Sequence, residues 1–293
     1  MKKLLLLSTL VALLLTTHAI PSAQTGSGGS QPRRIVSLVP ATTEMLFAMS
    51  AGNRLVGVGT YDRYPPEVDK LPRLGGLLDP NIEQLIAIRP DLVIAYDTQT
   101  ELRRQLERAR IPMWSYSTKG LSDITATMKA LGERIGMTAQ ANAAAADIDG
   151  RLQAVRARVA RLPRPKTLLI FGREPGSFRG LNASGGYGFL HDLVELAGGV
   201  DVLSDINQAA VSMSTEMVLA RAPEAIVELH YGEPWPPARI ESERRVWSAL
   251  PSVPAVRNGR VTLLTGDEFV VPGPRVPLAA ERLAAILHPE SSR

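Results

Sequence analysis

The segment Ile82-Glu83-Gln84-Leu85-Ile86-Ala87-Ile88-Arg89-Pro90-Asp91-Leu92-Val93-Ile94 returns in altered form as Thr215-Glu216-Met217-Val218-Leu219-Ala220-Arg221-Ala222-Pro223-Glu224-Ala225-Ile226-Val227. Each copy carries a glutamate, an apolar pair, an alanine, a proline, an acid and then a β-rich apolar run. Solenoid repeats recur every ~20–50 residues. Copies separated by this much chain instead imply two similar lobes, each presenting one glutamate at the same place.

The pattern between the copies agrees. Short apolar runs at 34–39, 55–58, 92–96 and 113–116 read as strands, and periodic segments at 82–88, 101–109 and 124–135 as helices. Such alternation implies βαβ units and a largely parallel sheet. From 139 to 162 there is no proline, and Ile148, Leu152, Val155, Val159 and Leu162 form one apolar stripe. A helix of ~24 residues would be ~36 Å long, enough to pass from one lobe to the next. Pro163 and Pro165 end it, and strand 166–171 restarts the scheme at nearly the offset of the glutamate segments. A Gly-rich loop over 172–188, a helix over 189–197, a strand over 261–264 and a helix over 277–287 follow.

The N-terminus has a secretory layout: Lys2 and Lys3, an apolar stretch over 4–15, and small residues around Ala19 and Ala23. The expected organisation is a signal peptide over 1–23, a Gly/Ser-rich disordered tether over 24–33, an N-terminal α/β lobe over 34–138, a connecting helix over 139–162 and a C-terminal α/β lobe over 163–293. Export to the periplasm follows. The absence of cysteine excludes disulfides, thiol nucleophiles and a lipid-modified N-terminal cysteine, so no stable membrane anchor is expected. Lys and Arg number 33 against 29 acids, with Lys2 and Lys3 in the leader. That small excess gives no basis for nucleic-acid binding.

Catalytic signals are missing. His191, His230 and His288 have no metal-type spacing, and Ser184 is not in a nucleophile elbow. No resident metal, cofactor or catalytic residue is expected, and the one acid–base candidate is His230 with Glu268. Binding signals gather instead at strand ends, where ligands dock on parallel sheets: Pro40, Tyr61, Leu77, Tyr96, Phe171, His230-Tyr231 and Asp267-Glu268-Phe269. Aromatic groups beside polar ones suit a large planar or amphipathic ligand. His230 could also coordinate iron or cobalt within that ligand, although an unpaired histidine is more often a hydrogen-bonding cleft residue. Asn81 and Ser214 read as N-caps, placing Glu83 and Glu216 in first helical turns. Helix-dipole compensation explains an acid at each site, whereas a two-fold partner explains the same acid at both.

The motifs Arg34-Ile35-Val36-Ser37-Leu38-Val39-Pro40-Ala41-Thr42-Thr43-Glu44, Tyr64-Pro65-Pro66, the two glutamate segments and Pro272-Gly273-Pro274-Arg275 resemble the iron–siderophore/vitamin B12 class of periplasmic binding proteins. The resemblance implies class III architecture: α/β, two Rossmann-like lobes with central parallel sheets joined by a single long helix. It implies capture of a corrinoid such as cobalamin between the lobes, with Pro40, Tyr61, Tyr96, Phe171 and Asp267 contacting it. It further implies delivery to an ABC importer, Glu83 and Glu216 pairing with arginines of the permease dimer. Leu77 and Ala210 stand where the cobalamin binder of that class has cleft tryptophans, and Val271 where it has an arginine. Haem or a ferric siderophore therefore remains the alternative cargo, and a periplasmic metal-chelate enzyme the alternative class.

Overall fold

The structure, a computed structural model, describes residues 31–77, 79–232 and 234–292; the expected signal peptide and residues 24–30 of the expected tether lie outside them. In the first lobe β1 (Ile35–Ser37), α1 (Pro40–Ala48), β2 (Leu55–Val58), α2 (Ile82–Ala87), β3 (Leu92–Tyr96), α3 (Thr100–Arg108), β4 (Met113–Tyr116) and α4 (Asp123–Ile135) follow one another. The strands form a parallel sheet in the order β2-β1-β3-β4. Leu92, Val93, Ile94 and Ala95 are all buried, as expected of a strand covered on both faces.

After α5 (Thr138–Val159) the second lobe contains β5 (Lys166–Gly172), β6 (Asn182–Ser184), α6 (Phe189–Leu196), β7 (Val200–Asp201), β8 (Ala210–Ser212), α7 (Thr215–Arg221), β9 (Ala225–His230), α8 (Pro237–Val246), α9 (Pro254–Arg257), β10 (Val261–Thr265) and α10 (Val276–Leu287). Its sheet runs β10-β9-β5-β6-β8, with β7 also on β5. Strands β5, β7, β9 and β10 are mutually parallel, while β6 and β8 are antiparallel additions. The Gly-rich loop expected over 172–188 thus holds a strand. No helix separates β5 from β6, so the chain can return only in the antiparallel sense.

The repeated segment adopts the same geometry twice. Asn81 accepts a hydrogen bond from the Gln84 amide and Ser214 from the Met217 amide, capping α2 and α7. Each helix ends on a residue of positive φ just before proline, Arg89 at 53° and Ala222 at 46°. The acid after each proline closes the unit. Asp91 accepts from the backbone N–H groups of Arg33 and Arg34 at 2.8 and 2.9 Å, and Glu224 from that of Lys166 at 2.9 Å. Each acid therefore ties the entry of its own strand to that of the neighbouring central strand, satisfying donors at the sheet edge.

Helix α5 runs along α4 on one side and α10 and α6 on the other. Its Ile148, Leu152, Val155 and Val159 lie in one continuous core with Met128 and Leu131 of the first lobe and Leu193 and Leu283 of the second. Among the described residues, no helix is long and apolar enough to cross a membrane.

Candidate functional site

The carboxyl ends of the first lobe's strands enclose a cavity of about 200 Å³ lined by Leu38, Pro40, Gly59, Thr60, Tyr61, Gly75, Gly76, Leu77 and Tyr96. Three sequence-predicted residues, Pro40, Tyr61 and Tyr96, meet here. Tyr61 is 66% exposed, leaving its ring available, whereas Tyr96 is held edge-on against Tyr116 at 5.3 Å. Gly75 permits the close turn beneath them: at φ 91° a Cβ would lie 2.3 Å from the Asp79 carbonyl oxygen. A larger void of about 620 Å³ lies elsewhere, along α5 and α6, among Asp149, Arg156, Arg164, Asp192 and Glu195. It touches no carboxyl end of a strand, and ligands of α/β sheets bind at those ends. The smaller cavity is the better site, as one wall of a cleft.

The facing wall comes from β5, β9 and β10. A Cβ at Gly232 would stand 4.0 Å from Nη2 of Arg63, so the turn after β2 and the loop after β9 approach one another. Asp267 accepts a hydrogen bond from the Gly232 amide at 3.0 Å. His230 packs its ring on Trp235, centroids 3.8 Å apart, and Arg239 covers Trp235 at 3.9 Å. Phe171 is partly buried at the end of β5, against the core. Phe269 belongs wholly to that core, at 1% exposed, so the strand-end aromatic at that point is structural.

Behind His230 lies a charged cluster drawn from residues far apart in the sequence. Arg173 Nε and His230 Nε2 converge on Glu228 Oε1 at 2.8 and 3.0 Å. Trp247 Nε1 donates to Glu228 Oε2 at 2.9 Å, and Arg173 Nη1 donates to Glu243 at 2.8 Å. Burial is the largest influence on the Glu228 carboxyl and raises its pKa. His230, Trp247 and Arg173 together outweigh burial and hold it below the usual range. The pairing of His230 with Glu268 is not formed: Glu268 instead meets Arg282 and Arg275. One local signal did mark the cluster, a glutamate inside the otherwise apolar run Ala225-Ile226-Val227-Glu228-Leu229.

A second polar group joins the lobes. Arg275 binds both oxygens of Glu44 at 2.6 and 3.0 Å and lies 4.3 Å from the Tyr64 ring centroid. Burial raises the Glu44 pKa and Arg275 opposes it. We expect Arg275→Ala to lower stability by about 2 kcal/mol, because Glu44 is left buried without its partner. Denaturant titration measures that loss. Beside this pair, Asp62 is 1% exposed, and neither of its oxygens, nor Thr43 Oγ1, has a partner in hydrogen-bonding geometry. Burial pushes the Asp62 carboxyl up to about 7. Tyr96 is likewise raised, by burial first and then by the Asp62 charge.

Glu83 and Glu216 lie outside the cleft, exposed on α2 and α7. Two lobes, strand-end loops facing across a cleft and one connecting helix describe a solute-capturing architecture. Residues 35–268 match a family described as periplasmic binding protein. The chain belongs to the periplasmic binding protein family. It is 29% identical over 263 residues to the vitamin B12-binding protein of Pectobacterium atrosepticum, covering 87% of this chain and 88% of that one. The solved periplasmic vitamin B12 binding protein of Vibrio cholerae matches this family member with 26% identity and a TM-score of 0.75, over 90% of this chain and 100% of the other. A periplasmic haem binding protein from Pseudomonas aeruginosa matches with 26% identity and a TM-score of 0.76, over 88% and 93%.

Proposed function

We propose that this protein is a periplasmic solute-capture subunit that holds a corrinoid, cobalamin first among them, and delivers it to an ABC importer without altering it chemically. Its similarity to vitamin B12-binding proteins supports the cargo. The observation that carries the choice within the cleft is electrostatic. Arg173 is committed to Glu228 and Glu243, and Arg275 to Glu44. A carboxylate-bearing chelate would find these cations already neutralised. A corrin rimmed by neutral amides would meet instead Pro40, the Tyr61 and Tyr96 rings, Phe171 and the Asp267 carboxylate. A ligand of that size exceeds the 200 Å³ pocket and must reach the opposite wall at His230.

Haem is the second reading, favoured by the likeness to the Pseudomonas haem binding protein. One absorbance titration separates the two. The mature protein should bind cobalamin at one equivalent, with haem and ferric siderophores binding at least about tenfold more weakly. Tighter haem binding would reverse the order, and steady conversion of an added chelate would indicate an enzyme.

Glu83 and Glu216 are the proposed contacts to a permease dimer. Neither has an ion-pair partner among the described residues. Three residues on, Ile86 and Leu219 occupy matching positions at 37% and 42% exposed. Each lobe thus offers a carboxylate outside any ion pair and an apolar side chain on one helical face. An arginine beside an apolar contact, repeated across a two-fold axis, complements that pair.

A further inference from the structure

We infer that Asp62 makes the cleft select for positive charge, favouring a chelate with a cationic metal centre over one of the same shape that is neutral. The inference rests on reading the cleft as a corrinoid site. Asp62 follows β2 and is 1% exposed. Neither of its carboxylate oxygens has a partner in hydrogen-bonding geometry, nor has the neighbouring Thr43 hydroxyl on α1. A buried acid without a partner costs stability, so the fold alone gives no reason to keep one.

Its place beside the cavity supplies a reason. Gly59 lines the cavity, and a Cβ on Gly59 would lie 2.8 Å from Asp62 Oδ2 and 3.3 Å from the Leu38 carbonyl oxygen. The glycine thus leaves room for the carboxylate directly against the cavity's own backbone. Tyr96, also in the lining, has its pKa raised by burial first and then by the Asp62 charge, so the field of that charge reaches the cavity wall. Arg73 and Arg275 direct their hydrogen bonds elsewhere. Arg73 donates from Nη1 to the backbone oxygens of Gly59 and Asp62, and from Nη2 to the Asp69 carboxylate. Glu44 on α1 adds charge of the same sign, and Arg275 of the second lobe is taken up by Glu44 and Glu268. Nη2 of the adjacent Arg63 lies 4.0 Å from where a Gly232 Cβ would stand, on the opposite wall. A charge acts across several ångströms of low effective dielectric, so one more positive charge on the metal centre gains on the order of tenfold in affinity.

Two corrinoids that differ in charge at the cobalt test this. Cyanocobalamin is neutral, whereas amminecobalamin, with ammonia in place of cyanide, is cationic at similar size. At pH 8 the wild-type mature protein should bind amminecobalamin about tenfold more tightly than cyanocobalamin. The Asp62 carboxyl is pushed up to about 7, chiefly by burial, so it is ionised at pH 8 and protonated at pH 5. The wild-type preference should therefore vanish at pH 5. Asp62→Asn should show no preference at either pH, and because Glu44 is present in both proteins, the difference between them isolates Asp62. Equal binding of the two probes by the wild type at pH 8, the same preference in Asp62→Asn, or a preference that persists at pH 5 would overturn the charge selection and leave the corrinoid reading standing. Failure of both corrinoids to bind the wild type would overturn both.

Discussion

Replacing Glu83 and Glu216 together by alanine should abolish stimulation of the importer's ATPase while leaving ligand affinity within about twofold. Truncating one member of a charge pair desolvated at an interface costs about 2–5 kcal/mol. That is roughly 30-fold or more per site. The two glutamates lie on different lobes, share no partner and should act additively, giving about a thousandfold loss in apparent affinity for the permease. Either single variant should fall midway on a logarithmic scale. Ser214 holds the Glu216 carboxyl below the usual range, which keeps that docking group charged in mild acid. The competing role, relief of the helix dipole, contributes only about 0.3–1 kcal/mol at each site. Melting temperature should therefore fall by only a few degrees. ATPase assays with the reconstituted importer, alongside melting curves, distinguish the two. Normal stimulation by the double variant would eliminate the docking role.

The legible parts of this protein are those whose cause is local. Strands 55–58 and 92–96 are apolar runs bounded by turn residues, and both appear with those limits. Helix α5 announces itself through absence of proline and a continuous stripe, and spans Thr138–Val159 against an expected 139–162. Strands β6 and β8 give no comparable signal, being three residues each, β6 running straight into Gly185 and Gly186. Helix α8 buries only Glu243, so its sequence Pro-Ala-Arg-Ile-Glu-Ser-Glu-Arg-Arg-Val lacks an apolar stripe to read. In the site, Pro40, Tyr61 and Tyr96 could be placed because each ends a strand or lies within three residues of a strand's end. The cluster of Arg173, Glu228, Glu243 and Trp247 could not, because contacts 19 and 70 residues apart leave no trace in spacing. Glu44 and Arg275 both lie in recognisable motifs. Their meeting across 231 residues is a property of the closed architecture alone.

Asp62→Asn should stabilise the protein by about 4 kcal/mol at pH 8 and remove a pH dependence that the wild type shows between about pH 4 and 7. The Asp62 carboxyl moves from an ordinary 3.8 to about 7 in the fold, chiefly through burial. The folded state therefore keeps its proton over a range in which the unfolded chain has lost it. Stability is greatest below the unfolded pKa, falls as pH rises, and levels off above about 7. A difference of about three units corresponds to about 4 kcal/mol. Other groups titrate over the same range: Glu44 and Asp201 are also raised and act in the same sense, while Glu228 is lowered and opposes them. The comparison that isolates Asp62 is the difference between variant and wild type at each pH, obtained from urea titrations at constant ionic strength. That difference should grow between pH 4 and 7 and then remain constant. The Asp62 charge also raises Tyr96 and lies close beneath the Tyr61 turn, so the variant changes the cavity's potential without changing its shape. If the carboxylate serves the ligand, Asp62→Asn should weaken binding above pH 7 while strengthening the fold, the trade expected of a strained group retained for function. Equal affinity for both proteins at pH 8 would leave Asp62 as a stability feature only.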